Sequence, residues 1–371
     1  ALPSSFAVDE VVTVSNGSKV TGSEMVFGFA DAAALNINTA GSVVSNDLIS
    51  LAVRPDSVSV VTIDGAGSSL NAEFLTISEE GQAELTAQNG ANITINDLTV
   101  LGLEVGSVAN MTLMDKNTVF SGKSILVGDE GEGTLTIKNG AAGKFQSEVG
   151  AGIASDSKGQ ITITGAGSSL STDRIIVGDT GEGTLVVNDS AKLTATSDIG
   201  VGIGVGSNGT ATVDGSGTTA TAARIVSGGR GTGLLIISNG AKVTSTIAAG
   251  TGLVRDSDGT IDVKGTDSVL IAPEITIAQS GNGTLKIQDG AKVTIDNSSI
   301  IGDEFSGEGL IEVTGNNSAL ISENIIIGNN GQGSLSVAQG AKASANDIVR
   351  LGQGIGNNEN RVSISDAGST M

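Results

Sequence analysis

The chain has no cysteine, no histidine, no tryptophan and no tyrosine, only three prolines, and seven phenylalanines as its sole aromatics. Without cysteine there can be no disulfide and no thiolate metal site. With histidine missing too, neither a Ser–His–Asp triad nor a Cys–His pair can be assembled, and most zinc sites lose their ligands. A globular core of 371 residues would recruit more large aromatics, so their scarcity implies a thin interior of stacked aliphatic side chains. Cations are also scarce: 19 Lys and Arg stand against 40 Asp and Glu, a net charge of −21. That balance argues against nucleic acid, anionic lipid and heparin-like partners, because a phosphate backbone needs a basic footprint. No run of about 18 apolar residues occurs, so no membrane insertion as a helix is expected. The opening Ala1-Leu2-Pro3-Ser4-Ser5 lacks a basic stretch and a long apolar run, and is compatible with an end left by signal cleavage.

What the chain does have is repetition. Leucine recurs every 50 residues at Leu35, Leu85, Leu135, Leu185, Leu235, Leu285 and Leu335. Two positions on stand Ile37, Ala87, Ile137, Val187, Ile237, Ile287 and Val337, and six positions on stand Gly41 and then alanine from Ala91 to Ala341. Such a period marks an architecture in which each unit buries its apolar face only against its neighbours. Hydrophobic residues make up 38%, mostly Val, Ile, Leu and Ala, too many for a disordered chain.

Each unit divides into two related halves, spaced alternately 26 and 24 residues apart at Gly133, Gly159 and Gly183. Gly133-Thr134-Leu135-Thr136-Ile137-Lys138 and Gly159-Gln160-Ile161-Thr162-Ile163-Thr164 both alternate apolar and polar residues. Period two means strand, with one side inward. A half of roughly 25 residues suffices for three short strands and three turns. Ile125, Ile175, Ile225, Ile275 and Ile325, extended back by Leu75 and Met25, form another ladder; Val149 with Ala151, Ile199 with Val201, and Val349 with Leu351 mark a third strand. The expected fold is all-β: a single-stranded right-handed parallel β-helix of about 15 coils, three short strands per coil. The chain would form one continuous domain over residues 1–371, with a cap region at 1–30, regular double-coil repeats at 31–356 and a truncated last coil at 357–371.

A β-propeller shares periods of this length, but it lacks half-repeats so alike and carries Trp-Asp signatures this chain does not have. A helical solenoid is excluded by the glycine-rich period-two segments. Asn89-Gly90, Asn139-Gly140, Asn239-Gly240 and Asp289-Gly290 suit turns with positive φ. The recurring Gly-x-Gly is turn chemistry rather than a phosphate cradle, because no helix follows it.

The string Gly281-Asn282-Gly283-Thr284-Leu285-Lys286-Ile287-Gln288-Asp289-Gly290-Ala291-Lys292-Val293, with Ile175-Ile176-Val177-Gly178 leading into an earlier copy, resembles a repeat of type V autotransporter passenger domains and of related surface proteins of the PEP-CTERM type. The resemblance covers residues 70–345. It implies a secreted or surface-displayed passenger of a Gram-negative bacterium, exported through the outer membrane by a C-terminal translocator barrel that these 371 residues do not contain. It also implies that the end at Met371, in mid-coil, reflects processing or an imposed boundary.

On this scaffold the acids Asp129-Glu130-Gly131-Glu132, Asp179 with Glu182, and Asp303-Glu304 with Glu308 fall at turns before a strand. They suit a solvated strip that keeps the protein soluble, a weak calcium contact, or the carboxylates of a polysaccharide-active enzyme. Lys192, Lys242, Lys292 and Lys342 form one outward column that discourages lateral sheet association, or presents a basic stripe to an anionic partner. No catalytic residue, cofactor or metal is expected. Binding residues are expected where the pattern breaks: Arg54 and Asp56 beside Pro55, Lys116 within 114–123, Arg230, and Asp303, Glu304 and Phe305. Phe120 falls in the column of Leu70, Leu170 and Leu270 and reads as core, while Phe27 and Phe29 read as closing the N-terminal coil. The functional expectation is a non-enzymatic adhesin or receptor ligand that contacts a host cell-surface protein, with a released fragment acting as a receptor agonist and virulence factor as its sharper version. The alternatives are an acid-based polysaccharide-active enzyme and a passive stalk for an absent tip domain.

Overall fold

The computed structural model describes residues 5–352 and 359–371, and no helix occurs among them. The chain is a parallel β-solenoid of about 14 turns. It groups into two compact units, one formed by residues 1–175, 181–185 and 191–193, the other by 176–180, 186–190 and 194–371.

In the first unit the strands Val11–Val14, Ala32–Asn38, Val58–Asp64, Gln82–Gln88, Val108–Met114, Glu132–Lys138 and Lys158–Thr164 stack in parallel in chain order. In the second, the same ladder runs through Asn208–Asp214, Thr232–Ser238, Asp258–Lys264, Asn282–Gln288, Glu308–Thr314, Gln332–Ala338 and Arg361–Ile364. After each of these strands except the last, Arg361–Ile364, come two more, separate and short as in Ala142–Phe145 and Glu148–Ala151, or run together as in Asn92–Leu101. Three strands and three turns therefore make one coil.

The alternating 26- and 24-residue spacing has a local origin. Between Ile95 and Leu98 the bend holds two residues, and the ladder shifts register there against Gly122 and Ser124, which are separated by Lys123 alone. The turn before the next seven-residue strand alternates as well, long at 102–107 and short at 128–131. One coil of each pair thus carries a protruding turn.

Period two decides what is inside. Glu132–Lys138 buries Gly133, Leu135 and Ile137 and turns Thr134, Thr136 and Lys138 outward. All seven members of the Leu35-to-Leu335 series are at most 2% exposed. In the first unit Leu35, Val61, Leu85, Met111, Leu135 and Ile161 sit in register on successive coils. The column from Met25 and Leu75 to Ile325 is buried too. Each fully buried aliphatic side chain contributes about 1.5–3 kcal/mol, and parallel stacking repeats that contribution at every level. On the outer face Thr62, Thr86, Thr112, Thr136 and Thr162 stack in register, an arrangement that suits β-branched side chains.

Asn139 and Gly140 have φ of 55° and 90°, the left-handed pair expected for the Asn-Gly turns. Hydroxyls that the repeat also places every 50 residues stabilise these corners. Thr118, Ser168 and Ser268 accept the amides of Gly90, Gly140 and Gly240 at 2.9–3.0 Å. Ser57, Ser107, Ser157, Ser207 and Ser257 donate across the protruding turn to the carbonyl three residues back, at 2.6–2.8 Å.

Two expectations about the ends differ from the structure. Val349 and Leu351 lie in the strand Lys342–Leu351 as expected, yet they are 49% and 53% exposed. No described strand pairs with Val349 or Leu351 on the side opposite Ala319–Ile327. At the other end Phe27 is buried, its ring 5.9 Å from Phe6 edge-on, but Phe29 is 38% exposed and covered by the guanidinium of Arg54 instead. Of the last-coil segment, residues 357 and 358 lie outside the described residues.

One interior defect gives a direct stability test. Thr99 lies in an inward ladder between Leu75 and Ile125, is fully buried, and its hydroxyl has no hydrogen-bond partner. Thr99→Val keeps the shape and removes the stranded hydroxyl, so a gain of about 1–3 kcal/mol is expected in urea unfolding. A loss would mean the hydroxyl is satisfied.

Candidate functional site

The turns before the seven-residue strands collect most of the residues that break the pattern. Every second one protrudes, and its tip is occupied in turn by Pro55, Val105, Ser155, Val205, Arg255 and Phe305, all solvent-exposed. A turn has no inward side chain at its tip, so its residue is free of the core's demands. Val105 is 81% exposed in the first unit; Val205 and Phe305 are 74% and 79% exposed in the second.

In the second unit, three successive turns around Phe305 border a shallow, half-open recess of about 340 Å³ lined by Arg255, Asp256, Ser280, Gly281, Asn282, Phe305, Ser306 and Glu308. The turns are tied to one another through the backbone: Ser280 N donates to Gly252 O at 3.1 Å, Asp303 N to Ala278 O at 3.0 Å and Glu304 N to Gln279 O at 2.8 Å. Side chains reinforce this. Ser306 Oγ donates to Ser280 O at 2.7 Å, and Asn329 Nδ2 to Asp303 Oδ1 at 2.8 Å. Ser280 and Gln279 both donate to the Glu304 carboxylate, and these bonds hold its pKa below the ordinary range. Asp303 and Glu304 therefore brace the turn that presents Phe305. Arg255, Asp256 and Glu308 belong to no ion pair among the described residues.

The remaining sequence-derived candidates are dispersed. Arg54 lies 4.7 Å from the centroid of the Phe29 ring, a cation–π contact. Asp56 is exposed on the same turn. Lys116 is exposed on a different corner, the turn after a seven-residue strand, between Asp115 and Asn117, both at positive φ. Arg230 is exposed on a short turn between Gly229 and Gly231. Ion pairs instead cross adjacent coils at the bend between the two shorter strands: Lys123–Asp97 at 2.6 Å, Arg174–Glu148 at 2.5 Å and Arg224–Asp198 at 2.7 Å. Exposed pairs of this kind are worth about 0–1 kcal/mol each.

Sequence reasoning did not single out Arg255 and Asp256, and it considered Asn282 only within the repeat string and Glu308 only as one acid among several. A scan of the tip column at 50-residue spacing would have placed Arg255 and Phe305 in equivalent positions.

The acidic turns of the first unit have a different character. Partial burial pushes the Glu79 carboxyl above its ordinary value, aided by Glu80, Glu104 and Glu24 and opposed by the Ser50 hydroxyl. Burial, with Glu130 and Glu104, does the same to Asp129. Among the described residues no group of three or more acids is placed to hold a metal ion. A carboxyl whose pKa is raised by folding keeps its proton in the native state after the unfolded chain has lost it. Its contribution to stability is therefore greatest below the ordinary carboxyl pKa and declines as pH rises from there to the raised value. Stability of this unit is expected to fall over that window, and Glu79→Gln together with Asp129→Asn should flatten the fall. Urea midpoints measured across it check this; a wild-type curve rising through the same window would contradict it.

No protein-family model, no curated protein and no solved structure matches this chain. Fold and site together define a parallel β-solenoid with a small surface recess on its protruding turns.

Proposed function

We propose that the chain is a non-enzymatic recognition scaffold, an exported passenger of the autotransporter kind that attaches to a host cell surface. The observation that carries this reading is Phe305, a large aromatic side chain 79% exposed beside a recess containing Arg255, which has no ion-pair partner among the described residues. Exposed aromatics and arginines are the residue types that dominate binding energy at protein surfaces. The inward side chains are engaged in packing, so recognition falls to the turns.

Saturable binding of the purified chain to host cells is the expected result, weakened about 10-fold or more by Phe305→Ala. Absence of saturable binding, with release of reducing sugar from a polysaccharide instead, would replace this reading with the enzymatic one. That second reading draws on the acidic turns of the first unit, where burial pushes the Glu79 and Asp129 carboxyls up, the direction a general acid needs. Asp129→Asn would then abolish the activity.

A further inference from the structure

We infer that the recess at Phe305 is a binding site for an uncharged saccharide, one or two sugar rings at the end of a cell-surface glycan. The inference rests on the recognition reading above and names the ligand of the same site.

The volume comes first. At about 340 Å³ the recess stands at the small end of ligand sites, room for a sugar or two rather than for a folded epitope. The donor and acceptor inventory comes next. Arg255 offers only donors, the Asp256 and Glu308 carboxylates only acceptors, and Asn282 offers both. A wholly apolar ligand would strip water from all four and return nothing. An anion would pair with Arg255 but would face Asp256 and Glu308, on a chain of net charge −21. A cation would pair with the acids but would face Arg255. Vicinal hydroxyls donate and accept at once, so a sugar satisfies both kinds of group without adding charge.

The aromatic ring completes the match. The face of Phe305 is the negative side of its quadrupole, and a pyranose presents a face of weakly positive C–H groups to it. With the ring 79% exposed, such stacking is sterically available. The bracing of the turn by Ser306–Ser280, Asn329–Asp303 and Ser280–Glu304 means that the ligand has side chains to order but little backbone.

The test titrates the purified 371-residue protein with a panel of neutral disaccharides, with a sialylated and a sulfated oligosaccharide alongside, and follows amide resonances by NMR. The expected result is that at least one neutral sugar shifts residues around 255, 282, 305 and 308. Phe305→Ala should weaken that binding about 10-fold or more, Arg255→Ala should weaken it several-fold, and Val205→Ala, an exposed tip elsewhere in the unit, should leave it unchanged. Charged oligosaccharides should bind more weakly. No shift with any neutral sugar at tens of millimolar, tighter binding of a charged one, or indifference to Phe305→Ala would each overturn the inference. Cell binding separates the two levels. If cells bind equally after enzymatic removal of their glycans, the saccharide is wrong and the recognition reading stands. If sugars bind and cells do not, the reverse holds.

Discussion

Phe145→Ala is expected to be the most damaging single truncation in the first unit, costing about 3–5 kcal/mol. The reason is a size exchange inside the coils. Phe145 follows Gly122 in one inward ladder, and Gly143 stands between Phe120 and Leu170 in the next. A Cβ on Gly122 would meet the Phe145 ring at 3.4 Å, and one on Gly143 would meet it at 3.3 Å. The ring therefore lies over both glycines, sharing the space at Gly143 with Leu170 Cδ1 and Ile137 Cδ1, which a Cβ there would meet at 2.9 and 3.0 Å, and packs edge-on against Phe120 with centroids 5.0 Å apart. Truncating it opens a void beside Gly122 and Gly143, which have no side chain to lean in, so that only Leu170 and Ile137 can shift toward it. In a solenoid each coil is stabilised only by its neighbours, so opening is local rather than all-or-none. Amide exchange protection should fall most between residues 119 and 151, with a smaller decline elsewhere. A uniform decline, or a loss below about 1 kcal/mol, would show that the site collapses.

The second large effect concerns a backbone approach rather than a side chain. Gly159 is the second residue of the strand Lys158–Thr164, and a Cβ there would lie 2.1 Å from Val127 O and 2.2 Å from Gly152 N. Both are main-chain atoms, one at the end of the strand Val119–Val127 and one in the turn that follows Glu148–Ala151, and cannot rotate away. Gly159→Ala is expected to cost at least about 1–3 kcal/mol and to disturb the turn before it. The equivalent position on earlier coils is Ala83, only 4% exposed, where the Cβ is already accommodated. There the reverse change, Ala83→Gly, should cost about 1 kcal/mol, through chain entropy and the buried methyl group it removes. Paired denaturation curves of the two variants test this: equal losses would mean that the two coils do not differ at this corner.

These two sites show where legibility ended. The periods of two and 50 residues identified the inward ladders, and every leucine of the 35-to-335 series lies inside. The corner chemistry was equally visible in Asn139-Gly140 and its copies. Phe120 was recognised as core from its column. The compensation of Phe145 by Gly122 and Gly143 was not visible, because it joins two different columns on neighbouring coils and depends on how far each ladder reaches into the interior. The serine and threonine hydroxyls that tie the corners were present in the sequence at regular spacing. They were overlooked because a small polar residue beside a turn carries no hydropathy signal.

The candidate site was legible only in part. Phe305 stood out as a lone aromatic in a turn, and Arg54, Asp56, Lys116 and Arg230 as departures from the repeat. Asp303 and Glu304 turned out to support the turn through Asn329, Gln279 and Ser280. Arg54 is engaged with Phe29.

The sequence by itself determined the strand-and-turn repeat, the inward rows and the left-handed corners, because these depend on periodicity and on local backbone preference. The tertiary structure decided which tips protrude, that Arg255 and Glu308 share a recess with Phe305, and which carboxyls are pushed up. Those properties arise from turn length and from the stacking of residues about 25 or 50 positions apart, and period alone does not say which way a side chain at a corner will lean.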